Sequence, residues 1–192
     1  MVSTPIQSRL RKATAGNHVA VDLEFSRYDL EDIASYGEFL EAHARALGCL
    51  EAKLTKDRAS LPTWSPRMHH LEADLQTLGL PLPTPLLLKG DFSGPMMHGL
   101  LYVVEGSRLG SAVLSRRVAP AFPSTFLRAV HAQGEWQSLV TALDGVAADN
   151  PTGWFEEVAA GARMTFDHYI RGSLATALVR SPNLTGTPRS GR

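Results

Sequence analysis

The chain is short of cysteine, of net charge and of long apolar runs, and each shortage removes a class of protein. One cysteine, Cys49, in 192 residues leaves no internal disulfide framework and no cysteine-clustered metal site. It falls among Ala46, Leu47 and Leu50, where a buried, inert thiol is expected. Lys plus Arg and Asp plus Glu balance at 19 each, so there is no basic footprint for nucleic acid and no acidic tail. No uncharged apolar run is long enough to cross a bilayer, and the first residues lack the apolar core of a signal peptide. A cytoplasmic protein is expected, with neither nucleic acid nor membrane as partner.

What is present is helical. At 192 residues one domain with a proper core is expected. Ser3-Thr4-Pro5 reads as a helix start, with a hydroxyl cap and proline in the first turn. Ile6, Leu10, Ala13 and Val21 keep helical spacing, and the helix is expected to run through to Glu24, with Gly16-Asn17 its weak point. Further helices are expected over Ile33 to Leu54, Arg67 to Leu78, from Ser93-Gly94-Pro95 to near Val118, around Trp136 to Leu143, and from Asn150-Pro151 to Val179. The run from Gly79 to Pro85 holds three prolines and reads as a stiff loop. Residues 181–192 are rich in Ser, Pro, Gly, Thr and Arg and read as a disordered tail on a 1–180 domain. No alternating run of strand length competes, so the fold class is all-α.

Two constellations carry chemistry. In the apolar helix from Gly99 to Leu114, Gly106 and Gly110 lie one turn apart on one face, each at a cost of about 1 kcal/mol against alanine. With Ser107 beside them they make a strip where backbone meets whatever packs there. A tight helix–helix crossing and a flat ligand laid on bare backbone both explain such a strip. On the first helix Arg11, Thr14, His18 and Asp22 share one side. Asp22 is one turn past His18, placed to accept an imidazole N–H and leave the other ring nitrogen free for a metal. Arg11 is two turns before it, about 10 Å along the axis, where it would meet an anionic group. Three polar residues on a solvated face is the competing reading. The seven histidines include no His-Glu-x-x-His and no Glu-x-x-His pair, and the chain has no glycine-rich nucleotide motif. His69-His70 is expected at the surface.

Leu10-Arg11-x-Ala13-Thr14-x-x-x-His18-x-x-x-Asp22 resembles the proximal helix of haem oxygenases. Tyr102-Val103-Val104-Glu105-Gly106-Ser107-x-Leu109-Gly110 resembles the distal helix of the bacterial branch, most of all the members that supply bilin to phytochromes, which makes chromophore supply one expected role and iron acquisition its rival. Arg67-x-x-x-Leu71-x-x-Asp74-Leu75-x-x-Leu78-Gly79 and Ala162-x-x-x-Phe166 are similar to the same family more weakly. The resemblance implies haem held between two helices of a compact all-α fold, with His18 as axial iron ligand and Asp22 orienting it. It implies Arg11 on a propionate, Gly106, Ser107 and Gly110 on the oxygen side, and Phe166 near that side. It further implies oxidative cleavage of haem by O2 to biliverdin, ferrous iron and carbon monoxide. Electrons would come from a separate ferredoxin or flavoprotein reductase, and a phytochrome is a candidate bilin acceptor. Residue chemistry agrees: a distal histidine or acid–base pair would favour O–O cleavage of the peroxidase kind, whereas two glycines and a small hydroxyl leave room for ordered water.

The chain departs from the family at one place. Ser111 stands where a second glycine usually follows Gly110, adding a Cβ and a hydroxyl beside the distal helix. Two other readings stay open: a haem carrier or sensor without turnover, and a haem-free helical enzyme of the thiaminase-like kind.

Overall fold

A computed structural model describes residues 5–150 and 153–180. Among these, eight α-helices and no strand occur: α1 (Ile6–Ala13), α2 (Ala15–Phe25), α3 (Ile33–Lys56), α4 (Met68–Thr77), α5 (Gly94–Leu114), α6 (Thr125–Arg128), α7 (Glu135–Asp149) and α8 (Trp154–Arg180). The expected tail, 181–192, lies outside the described residues.

Helix starts follow local chemistry where a cap is present. Asp32 accepts from Ser35 N–H at 2.8 Å to open α3, and Ser93 accepts from Met96 N–H at 3.4 Å to open α5. Two other helices are started from a distance. The Glu51 carboxylate of α3 accepts the backbone N–H groups of Arg67 and Met68 at 2.6 and 3.0 Å. Asp74 of α4 takes Thr125 and Phe126 N–H at 3.0 and 2.9 Å. Both do the work of a capping side chain.

The first helix is not continuous. It breaks at Thr14, whose φ of −116° and ψ of 10° separate α1 from α2. Thr14 Oγ1 donates to the Leu10 carbonyl at 2.8 Å, the back-bonding that bends helices, while Gly16 stays helical. α5 stops at Leu114, earlier than the expected Val118. Cys49 is half-buried rather than enclosed.

The core is α8 with α5 against one side and α3 against another, while α2 also lies on α8. The closest approach of α5 and α8 is made by Gly99 and Gly161. A Cβ on Gly99 would overlap the Val158 carbonyl, and one on Gly161 would overlap that of Met96. The tight crossing is therefore about two to three turns before the Gly106–Gly110 strip, which leaves the strip itself free of it.

His168 of α8 is fully buried against Ala46 of α3. Burial first, and the charge of Arg171 second, lower its pKa to about 4. His43 of α3 is also lowered to about 4, chiefly by burial. Unfolded, both would protonate near pH 6.5. The unfolded chain therefore binds more protons between pH 6.5 and 4, so the contribution is complete above 6.5 and is lost on acidification through that window. Each histidine should tilt unfolding free energy by about 1.4 kcal/mol per pH unit there. Urea unfolding at several pH values should show this slope, and His168→Gln should flatten it by one histidine's share.

Candidate functional site

Both α2 and α5 lie against α8, and between them opens a cavity of about 530 Å³, inside the range of roughly 300–1,000 Å³ that small-molecule sites occupy. Arg11, His18, Asp22, Gly106, Ser107, Gly110 and Phe166 all border it. On the α2 side His18 Nδ1 stands 2.9 Å from Asp22 Oδ2. The carboxylate accepts the Nδ1 proton, which leaves Nε2 with its lone pair. Both side chains are about two-thirds exposed, at 64% and 67%, and the imidazole meets the edge of Phe166 with ring centroids 5.8 Å apart. No residue of α2 is fully buried. The helix is tied down by polar contacts to α8, Asn17 to Asp167 at 3.4 Å and Glu24 to the Ser173 hydroxyl at 2.9 Å.

On the α5 side, a Cβ on Gly110 would meet nothing within 4 Å, and one on Gly106 would meet only the Trp136 ring, at 3.5 Å. The bare strip faces the cavity, and protein packing does not require it. Ser107 is pinned: its hydroxyl accepts from Arg67 Nη2 at 2.5 Å and donates to the Val104 carbonyl at 2.7 Å. Tyr169 is its third partner. The one Ser107 proton is thus committed to backbone, and Ser107 acts as a fixed acceptor. Ser111 turns its hydroxyl away from the strip, donating to the Ser107 carbonyl at 3.1 Å and accepting from Arg67 Nη1 at 3.4 Å. Ser111 nonetheless borders the cavity beside the strip.

Sequence reasoning passed over three groups here. Arg67, fully buried, holds Val104, Ser107 and Ser111 of α5 and lies 4.8 Å over the Phe126 ring. Burial lowers its pKa, though a guanidinium stays charged. His43 donates Nδ1–H to the Phe39 carbonyl at 2.9 Å; neutral near pH 7, it keeps the Nε2 lone pair. Tyr169, pushed up to about 12 by burial, stays a phenol. His43 and Tyr169 both border the cavity. The opening of α4 by distant Glu51 is what sets Arg67 there, and no local signal announces it. His43 and Tyr169 sit at ordinary core positions of their helices. His69 is exposed and His70 half-buried, and both lie away from this cavity.

The cavity fits a flat iron macrocycle. It offers one tethered imidazole with a free nitrogen, aromatic walls from Phe25, Phe39 and Phe126, a bare backbone strip and one cation, Arg11. Among the described residues no group of three or more His, Cys, Asp or Glu side chains forms a metal site of its own.

No family model and no curated protein matches the chain in sequence. In structure it matches the NO- and CO-bound haem oxygenase from Neisseria meningitidis. The TM-score is 0.72 over 91% of this chain and 92% of that one, at 22% identity. The chain thus has the haem oxygenase fold. Among the described residues no helix is long and apolar enough to cross a membrane.

Proposed function

We propose that this protein is a haem oxygenase, which binds haem between α2 and α5 and opens it with O2 to biliverdin, ferrous iron and carbon monoxide. The observation that carries the reading is one cavity bordered both by a tethered imidazole, His18, and by a helical strip without side chains, Gly106 to Gly110. The fold shared with a haem oxygenase supports it. His18 Nε2 ligates the iron, Asp22 fixes its tautomer as hydrogen-bonded partners of metal-bound histidines do, and Arg11 pairs with a propionate. Bound haem supplies both the iron that activates O2 and the carbon skeleton that is opened.

The rest is done by side chains of the chain. Gly106 and Gly110 keep any acid or base off the near face of the cavity. Arg67, through Ser107 and the Val104 carbonyl, holds that stretch of α5 in place. The Tyr169 phenol is committed to Ser107, so His43 Nε2 is the group that would hold water in the cavity, the means by which protons arrive without a charged side chain. Phe166, expected near the oxygen side, instead lies edge-on to His18 and orients the imidazole from the ligand side. Electrons come from a separate ferredoxin or flavoprotein reductase, in the cytoplasm, and the product passes to a bilin acceptor such as a phytochrome. Haemin titration tests binding: a saturable Soret band at one equivalent, shifted on reduction under carbon monoxide, is expected. Free-haemin absorption throughout would refute the reading.

A further inference from the structure

We infer that Glu105 and His131 are positioning residues that latch Trp136 as the end wall of the ligand cavity and thereby select how the flat ligand is seated. Trp136 of α7 borders the cavity, stands where a Cβ on Gly106 would meet its ring at 3.5 Å, and meets the Tyr102 ring at a centroid distance of 5.6 Å. Its other neighbour is the His131 ring, 5.8 Å away and inclined by 39°. His131 Nε2 lies 2.9 Å from Glu105 Oε2, and its Nδ1, also buried, has no partner. With Glu105 an obligate acceptor, Nε2 carries the proton, and this is the ring's one hydrogen bond among the described residues. The contacts close on themselves, Glu105 to His131 to Trp136 to Gly106, the residue next to Glu105.

The latch matters because His131, the neighbour that backs Trp136, itself borders open space. A second cavity, of about 680 Å³, lies on the far face of α5, bordered by Glu105, Arg108 and His131 and by Glu135 and Ser138 on either side of Trp136. The His131 ring stands beside that space on the single hydrogen bond to Glu105, and Trp136 loses the neighbour that backs it once that ring moves. Arg108 steadies the arrangement from the back. It donates to Glu105 Oε2 at 3.0 Å, to the Ala129 carbonyl at 2.7 Å and to the Ser65 carbonyl, which keeps the 129–131 segment against α5. Neither Glu105 nor His131 borders the ligand cavity; they act through Trp136.

The test uses the full chain in two arms, only the second of which rests on the haem reading. Trp64 and Trp154 are buried while Trp136 is half-buried, so acrylamide quenching of the protein without haemin reports Trp136, and Trp136→Phe identifies its share. His131→Ala should raise that quenching about twofold by local opening. In the second arm, proton NMR of the haemin-loaded, cyanide-bound protein reads the ratio of the two haem rotational seatings. One seating should predominate in the wild type and the ratio should move toward equality in His131→Ala. Unchanged quenching in a folded variant, or a wild type already evenly mixed, overturns the inference. If His131→Ala does not fold, His131→Gln decides, since it keeps an N–H for Glu105 but brings no ring to Trp136. If haemin does not bind at all, the haem reading fails and the quenching arm still judges the latch.

Discussion

Haemin added to the His18→Ala protein is expected to bind more than about 100-fold more weakly than to the wild type, while thermal unfolding shifts little. The two halves of this expectation have separate causes. The His18 side chain is 64% exposed with only an edge contact to Phe166, and substitution of so exposed a side chain changes stability by only about 0.5 kcal/mol in either direction. Its Nε2, however, is the free imidazole nitrogen on the α2 side of the cavity, and losing a ligand costs more than losing its support. Asp22→Ala removes only the 2.9 Å contact to Nδ1, so it should weaken binding by about 10- to 100-fold, the usual cost of such a partner. Equal losses in the two variants, or an unchanged Soret band in His18→Ala, would assign the iron to another residue.

The largest effect on stability belongs to a different glycine from the ones that mark the site. Gly99→Ala places a Cβ against the Val158 carbonyl and 2.7 Å from the Ala162 nitrogen, both of them α8 backbone. Backbone in the middle of a helix cannot step aside as a side chain tip can. The two central helices must separate, and overpacking of this kind costs about 3 kcal/mol or more, a large share of the 5–15 kcal/mol typical of a domain. Gly110→Ala is the matched opposite. Its Cβ meets nothing within 4 Å, and alanine is worth up to about 1 kcal/mol over glycine inside a helix. Urea unfolding without haemin should find Gly99→Ala strongly destabilised and Gly110→Ala at least as stable as the wild type. A Gly110→Ala protein that is destabilised would mean that the strip serves packing after all.

Glycine spacing made α5 legible as the organising element, but Gly106-x-x-x-Gly110 alone suited a helix–helix crossing at least as well as a ligand site. Distances separate the two, because the crossing falls on Gly99 and Gly161, which are as plain in sequence as any other glycine. Periodicity placed the long helices within a few residues, since their apolar faces pack on α8 and the period survives folding. It failed where structure is imposed from elsewhere. α6 is only four residues long and starts on the Asp74 carboxylate, which is about 50 positions away. The break after α1 falls at Thr14 because that hydroxyl returns to the Leu10 carbonyl, not at the conspicuous Gly16-Asn17. The side chains named from motif and spacing, His18, Asp22, Arg11, Ser107 and Phe166, border one cavity. Arg67, His43 and Tyr169 could not be read as site residues, since a buried arginine before a helix and a histidine within one look ordinary until their partners are known.

Turnover separates an enzyme from a haem carrier on the same fold. The decisive measurement is the absorption spectrum of the wild-type protein loaded with one equivalent of haemin, in air, with catalase present and a ferredoxin system supplying electrons. The Soret band should fade while a broad bilin absorption grows in step, and carbon monoxide should be released in proportion. A Soret band that persists while electrons are consumed would contradict the account and leave a protein that binds haem without opening it.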